Sequence, residues 1–232
     1  MATAHRLLAF DAAGSACSAA VWADGRVLAR RFEAMRRGQS ERLVPMIQAV
    51  MVEAGLDYAA LEAIAVTLGP GGFTGVRIGL ATARGLALAC GRPVLGVSSF
   101  AAVGAAVTTE ERRGRRLAVL LDAKRADLYV QAFGGNLAPL AEPVSLPPED
   151  LAGHLPAGPL VLAGDGVAQG YRDLVAARGG DLLVSAAPGH ADAARVAELA
   201  AALPLPRPDA RAPVPLYLRP PDVTLPAGPR RS

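Results

Sequence analysis

Aromatic residues are scarce in this 232-residue chain, at 4% of the sequence. Proteins that grip single-stranded nucleic acid stack its bases on aromatic side chains, so the composition does not favour a base-stacking surface. Histidine and cysteine are also scarce, with three and two copies. His5, His154 and His190 lie far apart, and Cys17 and Cys90 have neither a metal-binding spacing nor the number that a disulfide framework needs. The sequence therefore predicts no metal site and fits a reducing cytoplasm.

An excess of charge and long apolar runs are lacking too. The 24 basic residues nearly balance the 21 acidic ones, and Lys124 is the single lysine. Arginine clusters such as those at residues 36–37 and 230–231 are consistent with solvated faces as well as with phosphate contacts. There is no run of about 18 apolar residues, and Asp11 interrupts a short apolar run near the start of the sequence. We therefore expect a cytoplasmic protein without a membrane-spanning helix.

The sequence does contain an α/β pattern that occurs twice. In the first half, strands are predicted at residues 7–10, 17–22, 27–32, 63–68 and 94–97, and helices at 40–54 and 74–90. In the second half, strands are predicted at residues 117–121, 128–133, about 139–144, 160–163 and 182–185, and helices at 148–155, 167–178 and 191–203. This order resembles the duplicated ribonuclease-H-like fold of the actin, sugar kinase and Hsp70 superfamily. We predict a two-lobed α/β fold, with an N-terminal lobe at 1–108 that carries the partner-binding helices, a C-terminal lobe at 109–222 and a disordered tail at 223–232.

An aspartate follows the first predicted strand of each half, at Asp11 and Asp122. In the superfamily, the equivalent carboxylates face each other across a cleft and position the metal and phosphates of a nucleotide. With Ser15 in the first turn and Gly164 in a later strand-to-helix turn, they form a predicted nucleotide cleft. An aspartate after a strand is also a common turn residue, and a glycine in such a turn is explained by its backbone freedom. Both alternatives stay open.

This cleft is predicted to be degenerate. A phosphate cradle needs glycines, because backbone N–H groups must approach the phosphate closely. The second turn, at residues 122–127, contains no glycine, and Lys124 and Arg125 are the side chains there that could replace the missing donors. We therefore predict no cofactor for the isolated chain, and ATP with magnesium only in a complex.

The most distinctive stretch is the glycine-rich loop at residues 69–79, between a predicted strand and a predicted helix. It lacks the lysine and hydroxyl pair of a P-loop and the third glycine of a dinucleotide-binding turn. The helix that follows it and the helix at 40–54 are apolar on most sides, which favours burial against more than one neighbour. Either the two helices bury each other against the sheet, or they form a protein interface. We predict the interface, formed by Leu43, Met46, Ile47, Val50, Gly75, Gly79, Leu80, Ala83 and Leu86.

Several motifs between about residues 7 and 222 resemble the TsaB family (YeaZ-like). One is Gly-Pro-Gly-x-Phe-Thr-Gly-x-Arg-Ile-Gly at residues 69–79, and a second is Ser-x-x-Leu-x-Pro-x-Ile at 40–47. Others are Pro-x-x-Gly-Val-Ser-Ser at 93–99, Asp-Ala-x-Arg-x-x-x-Tyr-Val at 122–130 and Pro-x-Tyr-Leu-Arg at 215–219. The motif at residues 69–79 is the most specific of these.

The resemblance implies a non-catalytic partner subunit in bacterial synthesis of threonylcarbamoyladenosine in tRNA. It implies binding to a TsaD-like catalytic subunit and a TsaE-like ATPase, in a complex that modifies adenosine 37 of ANN-decoding tRNA. Contact with tRNA would come through the complex, and a homodimer of the isolated chain stays open. Histidines four apart hold the metal of the catalytic homologue, and the matching helix at 40–54 has none. An alternative is a superfamily enzyme, ATP-dependent or metallopeptidase-like, that uses Asp11 and Asp122.

Overall fold

Two mixed five-stranded sheets of the same topology form the framework of the computed structural model, which describes residues 6–207 and 210–219. The first sheet has the order β3-β2-β1-β4-β5, with β1 (Arg6–Asp11), β2 (Ala16–Ala23), β3 (Arg26–Ala34), β4 (Ala63–Thr67) and β5 (Val94–Val97). The second has the matching order β8-β7-β6-β9-β10, with β6 (Arg116–Asp122), β7 (Leu128–Phe133), β8 (Val144–Leu146), β9 (Leu160–Ala163) and β10 (Leu182–Val184). In each sheet the first three strands in the chain are antiparallel and the last two run parallel to the first. The duplicated α/β fold is thereby confirmed.

Six helices cover these sheets within the described residues. They are α1 (Gln39–Ala54), α2 (Phe73–Cys90), α3 (Ser99–Gly104), α4 (Leu151–His154), α5 (Val167–Arg178) and α6 (Ala193–Ala201). Left-handed glycines end the two long helices, Gly55 after α1 and Gly91 after α2, because glycine adopts positive φ without a steric penalty. None of the helices in the described segments is long and apolar enough to cross a membrane.

Three predicted elements differ from the structure, and one of them, the helix predicted at 148–155, is divided into a 3-10 turn at Pro148–Asp150 and the short helix α4. The strand predicted at about 139–144 was wrong: β8 begins at Val144, and Pro139 makes only an isolated bridge to Phe133. Pro139 and Pro143 have no N–H to give to a sheet ladder, so continuous pairing cannot start before Val144. The helix predicted at 191–203 begins at Ala193, because the Asp192 side chain caps it by accepting a hydrogen bond from Ala194 N–H at 2.9 Å.

The two sheets share one hydrophobic core, and α3 and α6 lie in it. Side chains alternate along a strand, so Leu8 and Phe10 of β1 pack towards α1 and α2, whereas Leu7 and Ala9 face the second sheet. The shared core contains Phe100 of α3, together with residues of α6 and of β6. Because α6 comes from the second half of the chain and packs against β1 and β2, the two lobes are joined through apolar packing.

Polar contacts reinforce this junction. The guanidinium of Arg30 in β3 donates to both carboxylate oxygens of Asp192, and its Nε lies 2.9 Å from each of them. The backbone N–H of Ala193 donates to Ser18 Oγ at 2.9 Å, and Ser18 is buried. The start of α6 is therefore held against the first sheet by a charged pair and by a buried hydrogen bond.

The packing of α1 and α2 corrects the interface prediction. Seven of the nine predicted interface residues are buried in the core of the chain itself: Leu43, Met46, Ile47, Val50, Gly79, Leu80 and Ala83. The other two, Gly75 and Leu86, are partly buried. The apolar stripe that the sequence shows most clearly therefore faces the first sheet. A partner would contact the opposite sides of these helices.

Candidate functional site

Asp11 is a core residue and lines neither of the cavities at the lobe junction that are described below. Its Oδ1 accepts hydrogen bonds from Thr67 Oγ1 and from the Ala13 N–H, the latter at 3.2 Å, and its buried Oδ2 has no hydrogen-bond partner among the described residues. Burial raises the pKa of Asp11 to about 6 and outweighs the lowering by these two hydrogen bonds. The prediction that Asp11 faces Asp122 across an open cleft was therefore wrong.

Lys124 connects the two halves at the place where the cleft was predicted. Its ammonium Nζ lies 2.9 Å from Ser15 Oγ, 2.9 Å from Asp122 Oδ2 and 3.5 Å from Asp165 Oδ2. Desolvation alone would raise the pKa of Asp122, but the hydrogen bonds and charge of Lys124 lower it. The pKa of Lys124 is raised, because its two aspartate neighbours outweigh the opposite effect of desolvation. Asp122 and Lys124 therefore form a charged pair at neutral pH.

Two residues of this cluster were missed by the sequence analysis. Asp165 Oδ1 accepts a hydrogen bond from the Asp122 N–H at 2.9 Å, and Asp165 Oδ2 lies 3.6 Å from His190 Nδ1. Asp165 stands between two glycines directly after β9, a position that marks it as a turn residue near the sheet edge. His190 is in the loop before α6, and no motif surrounds it. It reaches the cluster through tertiary packing alone.

The glycine-rich loop packs against the first turn of the protein itself. Gly72 N–H donates to Ala13 O at 2.7 Å. A Cβ added at Gly71 would lie 2.4 Å from Ala13 O, and one added at Gly75 would lie 2.1 Å from Ala12 O. These glycines are required because the start of α2 touches backbone atoms of the turn after β1.

Gly164 has a similar explanation. Its φ of 112° is one that L side chains rarely adopt, and an added Cβ would lie 2.0 Å from Leu120 O. The turn therefore needs glycine whether or not a ligand is near it. A contact between Gly164 and a nucleotide stays a prediction.

The residues present do not fit a nucleotide with its metal ion. The cavity between the first and second turns, lined by Gly14, Gly72, Asp122 and Lys124 among others, measures about 20 Å³, which suits a single water molecule. A wider groove of about 780 Å³ lies outside it, but Lys124 already pairs with the two carboxylates in its wall. Within residues 6–207 and 210–219, no three His, Cys, Asp or Glu side chains are grouped so that they could hold a metal ion. We therefore derive no reaction step that uses a nucleotide or its metal ion at this place.

The outer sides of α1 and α2 form an exposed apolar surface. Val52 on α1 is 82% exposed and Leu88 on α2 is 87% exposed. The exposed sides of these helices also carry Gln48 and Arg84, and we define the α1–α2 surface by its small and apolar residues Val44, Ala49, Val52, Ala81, Gly85 and Leu88. A Cβ at Gly85 would meet no atom within 4 Å, so this part of α2 is open to the close approach of another helix.

Comparison with known proteins gives three kinds of match. A family model described as TsaD, tRNA N6-adenosine threonylcarbamoyltransferase, matches residues 30–202. The tRNA threonylcarbamoyladenosine biosynthesis protein TsaB of Escherichia coli (strain K12) is 40% identical over 124 residues, which are 53% of this chain and 53% of that protein. A Pseudomonas aeruginosa structure, described as an uncharacterized protein with similarity to peptidase YeaZ, is 32% identical with a TM-score of 0.75. The match covers 92% of this chain and 99% of that one.

A more distant structure supports the fold alone. The activator of 2-hydroxyisocaproyl-CoA dehydratase from Clostridium difficile, solved with bound ADPNP, has a TM-score of 0.52 at 12% identity. The match covers 84% of this chain and 94% of that one. In sequence, the chain spans about half the length of the curated relatives that it matches.

Proposed function

Because the chain belongs to the TsaB family (YeaZ-like), we propose that it is a non-catalytic assembly subunit that binds a TsaD-like catalytic subunit. In this proposal the complex synthesises threonylcarbamoyladenosine at position 37 of ANN-decoding tRNA. The names of the Escherichia coli relative and of the matching family model refer to threonylcarbamoyladenosine in tRNA and support a role in this modification.

The main support for this proposal is the exposure of the apolar α1–α2 surface. Full burial of a valine or leucine side chain is worth about 1.5–3 kcal/mol, and Val52 and Leu88 leave most of that energy unused in the isolated chain. Ala49, Ala81 and Gly85 on the same surface are small, so a second helix pair could approach closely and bury both side chains. The TsaD family model matches residues 30–202, which include α1 and α2, so a TsaD-like subunit would have equivalent helices and would be a suitable partner. In its absence, the same surface can join two copies of this chain into a homodimer.

The lobe junction supports a role without catalysis. Asp11 is buried in the core, and Lys124 is paired with Asp122 and Asp165. The burial of Asp11 and the pairing of Asp122 with Lys124 favour this proposal over the enzyme alternative, in which both aspartates would be needed at the site. We propose that ATP and magnesium act only in the complex, in the catalytic subunit and in a TsaE-like ATPase. We also propose that the complex is cytoplasmic and that its catalytic subunit takes part in contacting the tRNA.

Co-purification tests this function directly. The full chain is mixed with its cognate TsaD-like subunit, and the mixture is analysed by size-exclusion chromatography. tRNA modification is then measured with and without the chain. We expect a stable complex, and modification that depends on the chain. Calorimetric titration of the isolated chain with ATP and magnesium is the companion experiment, and tight binding with turnover would favour the enzyme alternative.

A further inference from the structure

A groove of about 510 Å³ lies between the C-terminal half of α2 and residues 206–207 and 210–212. Four arginines line it: Arg84, Arg92, Arg207 and Arg211. Its described lining residues include no acidic side chain. The sequence places one acid, Asp209, in the same stretch, so the groove keeps an excess of positive charge even when Asp209 is counted. We call it the arginine groove.

Backbone carbonyl oxygens hold two of these guanidinium groups. Arg84 Nη2 donates to Pro213 O at 2.9 Å, and Arg92 Nη2 donates to Ala59 O at 2.7 Å. A carbonyl oxygen orients a guanidinium without neutralising its charge. Within residues 6–207 and 210–219, Arg84, Arg92 and Arg211 form no ion pair with a carboxylate, whereas arginines elsewhere, such as Arg30 and Arg42, do.

The remaining lining of the groove limits the kind of ligand. It consists of small and aliphatic residues such as Ala87, Leu88 and Val94, and its described part contains no aromatic ring. A nucleic acid bound here would therefore be held without base stacking and without reading of its sequence. Guanidinium groups match phosphate oxygens in charge and in planar geometry. The phosphodiester backbone of a nucleic acid offers such oxygens in series, and binding to it needs no base stacking.

We propose that the arginine groove binds the phosphate backbone of a structured RNA, with tRNA as the RNA in question. The choice of tRNA rests on the proposed function, which places the chain in a tRNA-modifying complex. An acidic peptide carries the same sign of charge, but the proposed function gives it no role. Leu88 belongs both to the groove and to the α1–α2 surface, so RNA in the groove would lie at the edge of the proposed partner interface.

Fluorescence anisotropy with a labelled, unmodified tRNA transcript tests the proposal on the full chain. The test variant combines Arg84→Gln with Arg211→Gln. The matched control combines Arg26→Gln with Arg172→Gln, which removes the same charge from two exposed arginines elsewhere. A third protein, with Arg84→Lys and Arg211→Lys, keeps the charge but loses the planar donor groups. Thermal denaturation of all four proteins checks that each is folded.

We expect wild-type binding to weaken steeply with salt, and the test variant to bind about tenfold or more weakly than the wild type. Its slope of log K against log salt should be shallower by about 1–2, because each lost phosphate contact removes roughly one released counterion. The control should stay within about threefold of the wild type, and the lysine variant should bind more weakly than the wild type but more tightly than the test variant. Absent tRNA binding, or equal loss in the test and control variants, would overturn the proposal. Displacement of tRNA by a poly-glutamate peptide of matched charge at equal concentration would also overturn it, in favour of an acidic peptide.

A parallel co-purification with the cognate catalytic subunit separates this inference from the proposed function. If the complex forms but tRNA binding does not depend on Arg84 and Arg211, the groove assignment fails and the assembly role stands. If no complex forms, the assembly role fails, whatever the groove binds.

Discussion

Asp11 and Lys124 are the two residues that most distinguish this lobe junction from a nucleotide site. Asp11 directs its carboxylate into the core, towards Thr67, and Lys124 places a tethered cation beside Asp122 and Asp165. The positions of both aspartates at strand ends were predictable from the sequence. Their surroundings were not, because Thr67 and Asp165 reach them from 56 and 43 residues away in the chain.

The burial of Asp11 predicts a defined pH dependence of stability. Its pKa is about 6 in the folded protein against an ordinary value of 3.8, so the folded state holds the proton more tightly than the unfolded chain. This contribution to the free energy of unfolding is present below about pH 4 and is lost as the pH rises to about 6. Asp11→Asn removes the titration and keeps an oxygen for Thr67 and Ala13, so the variant should be more stable than the wild type at pH 7.5, by up to about 3 kcal/mol.

Urea denaturation of both proteins between pH 4 and pH 8 measures this difference. The gap in the free energy of unfolding should grow across the window from about pH 4 to pH 6 and stay constant above it. A gap that is the same at every pH would contradict a buried, titrating Asp11.

At the element scale, α1 and α2 show how far periodicity can orient a helix. Strands β7 and β9 and helix α5 have the bounds predicted from the sequence. Turn-forming residues mark their ends, such as Gly134 after β7, Gly164 after β9 and Gly179 after α5. In α2 the apolar and small residues cover nearly the whole circumference, so the sequence could not tell the stripe that faces the sheet from the stripe that faces solvent. An arginine at Gly79 or Ala83 would therefore disrupt the core of the first lobe and would not probe the interface.

Two alanine substitutions in α2 test the packing of this helix. Gly75→Ala places a Cβ 2.1 Å from Ala12 O, and because that atom belongs to the backbone it cannot move aside easily. We expect a loss of about 3 kcal/mol or more in the free energy of unfolding, measured by chemical denaturation. The matched control is Gly85→Ala in the same helix, which meets no atom within 4 Å and should gain roughly 0.5–1 kcal/mol from helix propensity. A neutral Gly75→Ala would show that the turn after β1 does not constrain α2.

At the scale of the whole molecule, the shared core decides how the two lobes behave. The repeat in the sequence predicted two lobes of the same topology, and the structure has them. That α6 leaves its own half to pack against β1 and β2 could not be predicted, because the apolar face of a helix does not specify which sheet it covers. With α3 and α6 between the sheets, the shared core joins the lobes, and each lobe has a further core on the outer face of its own sheet.

Because the two lobes share a core, we expect the protein to unfold in one cooperative transition. In differential scanning calorimetry, the calorimetric enthalpy should equal the van't Hoff enthalpy, because loss of the shared core exposes apolar faces of both sheets together. Two resolved transitions, or a calorimetric enthalpy about twice the van't Hoff value, would show that the lobes unfold separately.

The affinity of Gly85→Arg for the cognate TsaD-like subunit tests the assembly role most directly. Arginine has a higher helix propensity than glycine and has room at this position, so the variant should fold at least as stably as the wild type. It should bind the catalytic subunit about 100-fold or more weakly, because a bulky charge would separate the two helix pairs. Gly153→Arg, at an equally open helical glycine in the second lobe, is the matched control and should bind like the wild type. Unchanged affinity in a folded Gly85→Arg protein would contradict the α1–α2 surface as the site of assembly.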